Sequence, residues 1–112
     1  MSNMQMLVRI GHGDSTAPAL RVALSAAARL GACLDGVQVV PLPPAAFTVP
    51  EAVPMQMDAV KQLYERARKR ETWFQSQLRD LAITGDWRVA HGDDASVLCH
   101  MASAYELLVM MR

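Results

Sequence analysis

Aromatic residues, cysteines and net charge are all scarce in this sequence. Only 5% of its 112 residues are aromatic, whereas 52% are hydrophobic, so the chain is not disordered. The 11 Lys and Arg residues balance the 11 Asp and Glu residues, and the formal net charge is zero. A neutral chain suits neither nucleic-acid phosphates nor acidic membrane surfaces, and it lacks the repulsion that opposes self-association. We therefore expect neither a nucleic acid nor a membrane as partner.

The sequence also lacks the cysteine patterns and targeting signals that are typical of particular protein classes. Cys33 and Cys99 are too far apart to indicate a zinc cluster or a disulfide framework. The first residues do not resemble a secretory signal, and no segment approaches the roughly 18 uninterrupted apolar residues of a membrane helix. These absences favour the reduced cytoplasm. The length suits one domain over residues 1–112.

Short apolar runs alternate with segments of helical period along the chain. Strands are predicted over residues 6–10, 37–40, 87–90 and 107–111, and helices over residues 19–30, about 55–83, and after the turn at residues 91–94. Five of the six prolines lie between Pro41 and Pro54, which predicts a long extended connection. Strands and helices alternating in this way indicate an α/β sheet with right-handed crossovers.

The predicted long helix contains three notable features. Glu71 falls within the apolar stripe, and the pattern offers no reason for it. The basic cluster from Arg66 to Arg70 is interpreted as a solvated face, because helical geometry scatters its charges. Trp73 lies off the stripe beside Lys69 and Arg70, so it contacts a partner, covers the stems of these basic side chains, or lies under the proline-rich connection.

Five segments resemble the universal stress protein family, in the family's order and over nearly the whole chain. They begin at Met6 (MLVRI), Ala19 (ALRVAL), Val37 (VQVVP), Trp87 (WRVAHGD) and Tyr105 (YELLVM). The resemblance implies an open, mainly parallel sheet with helices on both faces, of the adenine-nucleotide alpha-hydrolase-like, Rossmann-like three-layer type. Four strands in order 3-2-1-4 are expected, and the family's last helix and fifth strand would be absent.

The resemblance also implies a site for ATP or another adenine nucleotide in some members. The aspartate that ends the first strand in such members corresponds to Gly11, and the residue beside the adenine corresponds to Val39. The first glycine of the family's Gly-x-x-Gly segment corresponds to Met111, and the rest would lie beyond Arg112. Without that loop, the backbone amides that would attract phosphate are missing. We therefore expect no cofactor, with ATP as the alternative.

The turn after the first strand is the best candidate for a ligand site. Gly11, His12 and Gly13 lie at the carboxyl end of a central strand, beside a helix N-terminus, where open α/β sheets bind ligands. With Val39 and Met111 they form the candidate adenine-nucleotide site. The alternative is a simple turn in which Asp14 or Ser15 caps the helix.

Metal binding and catalysis are not expected. In the segment from His91 to Asp94, Asp93 or Asp94 more simply caps the third helix than binds a metal. Cys99 and His100 are adjacent on a helix, so their side chains diverge by about 100° and cannot act together. No other nucleophile has a recognisable base and acid partner, so the chain is not predicted to be an enzyme.

The sequence favours a function in association with a second copy or another protein. Residues 107–111, from Leu107 to Met111, are predicted to form an edge strand that pairs with a second copy and hides unpaired backbone groups. Trp73 is a further possible contact. The sequence therefore predicts a stress-response domain that works as a homodimer or with another partner, without catalysis. The alternatives are a nucleotide-binding stress protein with a reduced site, or a piece of a complete nucleotide-binding domain.

Overall fold

The computed structural model describes residues 4–11, 18–40 and 53–110, and it contains four strands and four helices. The strands are β1 (Gln5–Arg9), β2 (Cys33–Val40), β3 (Trp87–His91) and β4 (Leu107–Val109). The helices are α1 (Pro18–Leu30), α2 (Val53–Lys69), α3 (Glu71–Asp80) and α4 (Asp94–Ala102). In these ranges no helix is both long enough and apolar enough to cross a membrane.

The four strands form one parallel sheet in the order β3-β2-β1-β4. Leu7 in β1 lies opposite Asp35 in β2 on one side and opposite Leu108 in β4 on the other. The predicted α/β class, strand order and parallel direction are therefore confirmed. The strand bounds differ from the prediction. The strand β1 covers residues 5–9 in place of 6–10, and β3 extends one residue further, to His91. The strand β2 begins earlier, at Cys33, and β4 ends earlier, at Val109.

The larger core lies on the face of the sheet that α1 and α3 cover. Met6 and Val8 of β1 are fully buried there, together with Phe74 and Leu78 of α3. The buried residues of α1 are small or aliphatic: Ala19, Leu20, Ala23, Leu24 and Ala27. Three alanines among these five let the helix approach the sheet closely.

Gly36 in β2 has no side chain because an aromatic pair fills the space above it. A Cβ atom at this position would lie 2.7 Å from Phe74 Cε1 and 2.9 Å from Trp87 Cε3. The two rings contact each other, with centroids 5.2 Å apart. The glycine therefore allows Phe74 and Trp87 to pack directly on the backbone of the central sheet.

The opposite face carries a smaller core beneath α4. Leu7, Val37, Val39 and Leu98 are buried there. The helix begins as predicted, because the Asp93 side chain accepts a hydrogen bond of 3.1 Å from the backbone N–H of Ser96. Helices thus lie on both faces of the sheet, as predicted.

The prediction of one long helix over residues 55–83 is wrong, because Arg70 separates α2 from α3. The backbone N–H of Arg70 bonds to Ala67 O, and α3 begins at the next residue. Glu71 is therefore the exposed first residue of α3, where a carboxylate complements the helix dipole. The apolar period did not reveal the break, because Ala67 and Phe74 on either side of it are both buried.

Candidate functional site

The predicted nucleotide residues map to the carboxyl edge of the sheet, where the structure describes two of them. Gly11 lies two residues after the end of β1 and is half-buried, and Val39 lies near the end of β2. Val39 is 5% exposed and packs in the core beneath α4. His12, Gly13 and Met111 lie outside the described residues, as do Asp14 and Ser15.

Arg70 reaches this edge from the junction of α2 and α3. Its Nη1 donates a hydrogen bond of 2.7 Å to the carbonyl of Gly11 and one of 2.9 Å to Oε1 of Gln38. Gln38 is only 3% exposed, so the bond satisfies an amide oxygen that is buried beneath the helices. The interpretation of residues 66–70 as a solvated face is therefore wrong for Arg70, although Arg66, Arg68 and Lys69 are exposed.

Two tryptophans enclose the Arg70 guanidinium. Its Cζ lies 4.9 Å from the ring centroid of Trp73 and 6.0 Å from that of Trp87. The indole N–H of Trp87 donates to Ala67 O at 2.8 Å, which fixes that ring beneath the end of α2. Trp73 thus lies against an arginine, one of the arrangements expected for it. Its contact with a partner stays a prediction.

A second aromatic contact lies at the end of β3. The rings of Tyr64 and His91 stack with centroids 4.6 Å apart and planes 13° apart, and Arg68 lies 5.9 Å from the Tyr64 centroid. Gly92, with a φ of 131°, turns the chain here and donates its N–H to Val40 O. No group of three or more His, Cys, Asp or Glu side chains suited to a metal occurs among the described residues.

Asp35 forms a polar cluster nearer the amino ends of the strands, and the sequence pattern does not predict it. Oδ2 accepts a 2.6 Å hydrogen bond from the hydroxyl of Tyr105 and lies 3.4 Å from Nε of Arg88. Oδ1 accepts a 2.9 Å bond from the backbone N–H of Asp86. A carboxylate in a mainly apolar segment was the available signal, but it did not identify partners that lie about 50 and 70 residues further along the chain.

The Tyr105 hydroxyl is perturbed by this cluster. Burial raises its pKa above the ordinary value of 10.0, and the hydrogen bond to Asp35 raises the pKa further. A tyrosine held in its protonated form acts here as a hydrogen-bond donor. The cluster therefore ties the segment before β4 to β2.

The described serine hydroxyls that form hydrogen bonds have structural partners. Ser76 donates to Trp73 O and Ser103 donates to His100 O, while Ser96 bonds to the capping carboxylate of Asp93. Each bond lies within a helix or at its end. These serine hydroxyls therefore take part in local helix and cap structure.

Two solved structures with a similar arrangement of strands and helices come from one family. A universal stress protein UspA from Lactobacillus plantarum is 17% identical with a TM-score of 0.77, and the match covers 98% of this chain and 78% of that one. A universal stress protein family member from Burkholderia pseudomallei is 25% identical with a TM-score of 0.73, covering 96% and 80%. The chain has the universal stress protein fold.

The universal stress protein fold confirms the resemblance seen in the sequence. A further structure with this fold, a universal stress protein in complex with cAMP, is 16% identical with a TM-score of 0.60, and the match covers 97% of this chain and 76% of that one. No protein-family model matches the sequence, and no curated protein matches it. The likeness is thus carried by the three-dimensional arrangement more than by sequence identity.

Proposed function

We propose that this chain is a cytoplasmic stress-response domain that acts by self-association through β4, without catalysis. The observation that carries the proposal is the position of β4 in the described sheet, where it pairs with β1 alone. Leu107 is 41% exposed and Met110 is 49% exposed at this edge. An apolar strand at an open edge favours pairing with another strand.

The backbone direction of β4 supports the same surface. The N–H of Glu106 donates to Gln5 O, so this residue points its backbone groups toward β1. Successive residues of a strand direct their backbone groups to opposite sides. The N–H and C=O groups of Leu107 and Val109 therefore point away from β1, where a second copy of β4 could bond to them.

Light scattering coupled to size exclusion tests self-association at micromolar concentrations. We expect a dimer mass for the unchanged chain and a shift toward monomer for Leu107→Lys, because a charge at an open edge opposes strand pairing. Leu81→Lys is the matched control, since Leu81 is 48% exposed at the end of α3 and lies far from β4 along the chain. Leu107→Pro is a second test. It should also shift the mass toward monomer, because proline lacks the N–H that points outward at the first residue of this edge strand.

Two results would reject the edge-strand proposal. One is a monomer mass for the unchanged chain over the whole concentration range. The other is a dimer that Leu107→Lys and Leu81→Lys weaken equally, since that pattern would place the contact elsewhere. Circular dichroism of each variant shows whether the fold is retained before the masses are compared.

Adenine-nucleotide binding is the second candidate function, and the cAMP complex of a structural neighbour favours it. The proposed residues are Gly11, His12, Gly13, Val39 and Met111. Thermal melting with millimolar ATP or cAMP tests it, with GTP as control, because a ligand that binds only the folded state raises the melting temperature. No rise with either adenine nucleotide, or an equal rise with GTP, would reject an adenine site.

A further inference from the structure

The outer side of α1 carries an apolar ridge that the described fold does not cover. Val22 is 61% exposed and Leu30 is 55% exposed, although both are large aliphatic residues. Ala26 lies midway between them and is half-buried. Residues four apart lie on one row of a helix surface, so these three side chains form a straight ridge about 12 Å long.

A second row beside the ridge is basic. Arg21, Ser25 and Arg29 have the same spacing and are all exposed. Together the two rows line a shallow groove of about 530 Å³ whose residues are Arg21, Val22, Ser25, Ala26, Arg29 and Leu30. Small residues lie at its centre and larger ones at its ends, which lets another backbone approach closely at the middle.

The two arginines have no compensating charge on their own helix. Residues 18–30 include no Asp or Glu, and among the described residues neither Arg21 nor Arg29 has a carboxylate within ion-pair distance. Arg29 is in the last turn, where a cation complements the helix dipole. Arg21 is near the first turn, where the dipole opposes a cation. Stabilisation of α1 therefore explains an arginine at position 29 but not Arg21.

We propose that this outer face of α1, defined by those six residues, docks an acidic amphipathic helix of another protein. The apolar residues of that helix would lie along Val22, Ala26 and Leu30, and its carboxylates would pair with Arg21 and Arg29. A straight ridge with spacing of four residues fits the ridge and groove of a second helix. Two copies of α1 facing each other would instead bring arginines together, which disfavours this face as a symmetric dimer contact.

The test uses a synthetic peptide of about 18 residues, long enough to hold helical structure, with leucine at every fourth position and flanking glutamates. Its binding to the full chain is measured by fluorescence anisotropy. A peptide with lysine in place of each glutamate serves as the charge control. We expect the acidic peptide to bind at least about tenfold more tightly than the basic one, because only its charges complement the arginines.

Charge reversal on the protein makes the test specific to α1. In the double variant Arg21→Glu with Arg29→Glu, the preference should invert, so that the basic peptide binds more tightly. The matched control is Arg66→Glu with Arg68→Glu, which reverses two exposed arginines on α2 and should leave the preference for the acidic peptide unchanged. Val22→Ser should weaken the binding of both peptides, the acidic and the basic one.

Three outcomes would overturn the proposal. The first is that the acidic peptide does not bind at hundreds of micromolar, and the second is that the α2 control loses its preference for the acidic peptide as fully as the α1 variant does. The third is that the chain binds vesicles of mixed neutral and anionic phospholipid more tightly than it binds the acidic peptide. The last would indicate a membrane surface as the occupant. Dimer formation through β4 is measured separately, so its failure does not affect this result.

Discussion

Ala82 has a positive φ of 55° at the end of α3, a conformation that glycine adopts at lower cost. The surrounding hydrogen bonds form a helix-ending motif, in which the N–H of Ile83 donates to Leu78 O and the N–H of Ala82 donates to Arg79 O. Gly31, with a φ of 63°, is the corresponding residue after α1. The two helices thus end in similar backbone conformations with different residues.

Exchanging these residue types should change stability in opposite directions. Ala82→Gly is expected to raise the free energy of unfolding by about 0.5–1 kcal/mol, and Gly31→Ala to lower it by about 1 kcal/mol. A Cβ atom at Gly31 would meet nothing within 4 Å, so its cost is that of the backbone alone. Urea unfolding measures both, and a stabilising Gly31→Ala would contradict this account.

Tyr105 makes stability depend on pH in the alkaline range. Because burial and the bond to Asp35 raise its pKa above 10.0, the folded chain retains this proton at pH values where the unfolded chain loses it. The resulting stabilisation is fully present below pH 10 and disappears as the pH rises through the raised pKa. Tyr105→Phe should lower stability by about 1–2 kcal/mol at neutral pH and weaken the alkaline decline.

Tyr64→Phe is the control for Tyr105, because Tyr64 contacts His91 through its ring. Urea unfolding at several pH values from 7 to 11 compares the two variants with the unchanged chain. An alkaline decline that persists undiminished in Tyr105→Phe would show that other groups cause it.

Arg70 joins helices and strands at the scale of whole elements. It ends α2, precedes α3, and bonds to residues that follow β1 and lie within β2. Arg70→Met should therefore lower the free energy of unfolding by about 1–3 kcal/mol, since the buried amide of Gln38 and the carbonyl of Gly11 each lose a donor. Urea unfolding measures the loss.

Arg68→Met is the matched control for this junction. Arg68 is exposed and contacts Tyr64 only through its ring face, at 5.9 Å, so we expect a change within about 0.5 kcal/mol. Equal losses in the two variants would mean that the hydrogen bonds of Arg70 add little to what any arginine in this helix provides.

At the scale of the whole molecule, self-association links stability to concentration. If two copies pair through β4, the folded state gains by mass action, and the melting temperature should rise with protein concentration. Leu107→Lys should remove this dependence, whereas Leu81→Lys should preserve it. Differential scanning calorimetry over a tenfold or greater concentration range measures the effect. A melting temperature independent of concentration in the unchanged chain would contradict pairing in the folded state.

The fold was largely predictable because its signals are local. The helix α1 and the cap at Asp93 each depend on neighbours along the chain, and the sequence predicts both. The strand order came from resemblance to a known family. The candidate site was less predictable, since the sequence predicts the carboxyl edge for Gly11 and Val39 but not the contacts that Arg70 makes there.

By itself, the sequence determined which segments form helices and strands, because side-chain periodicity and capping act over a few residues. Only the tertiary structure decided where the long helical segment breaks and what its basic residues contact, because the bonds of Arg70 to Gly11 and Gln38 span 59 and 32 residues. It likewise decided that Asp35 meets Tyr105. Such contacts form when the sheet brings distant segments together, and no local pattern records them.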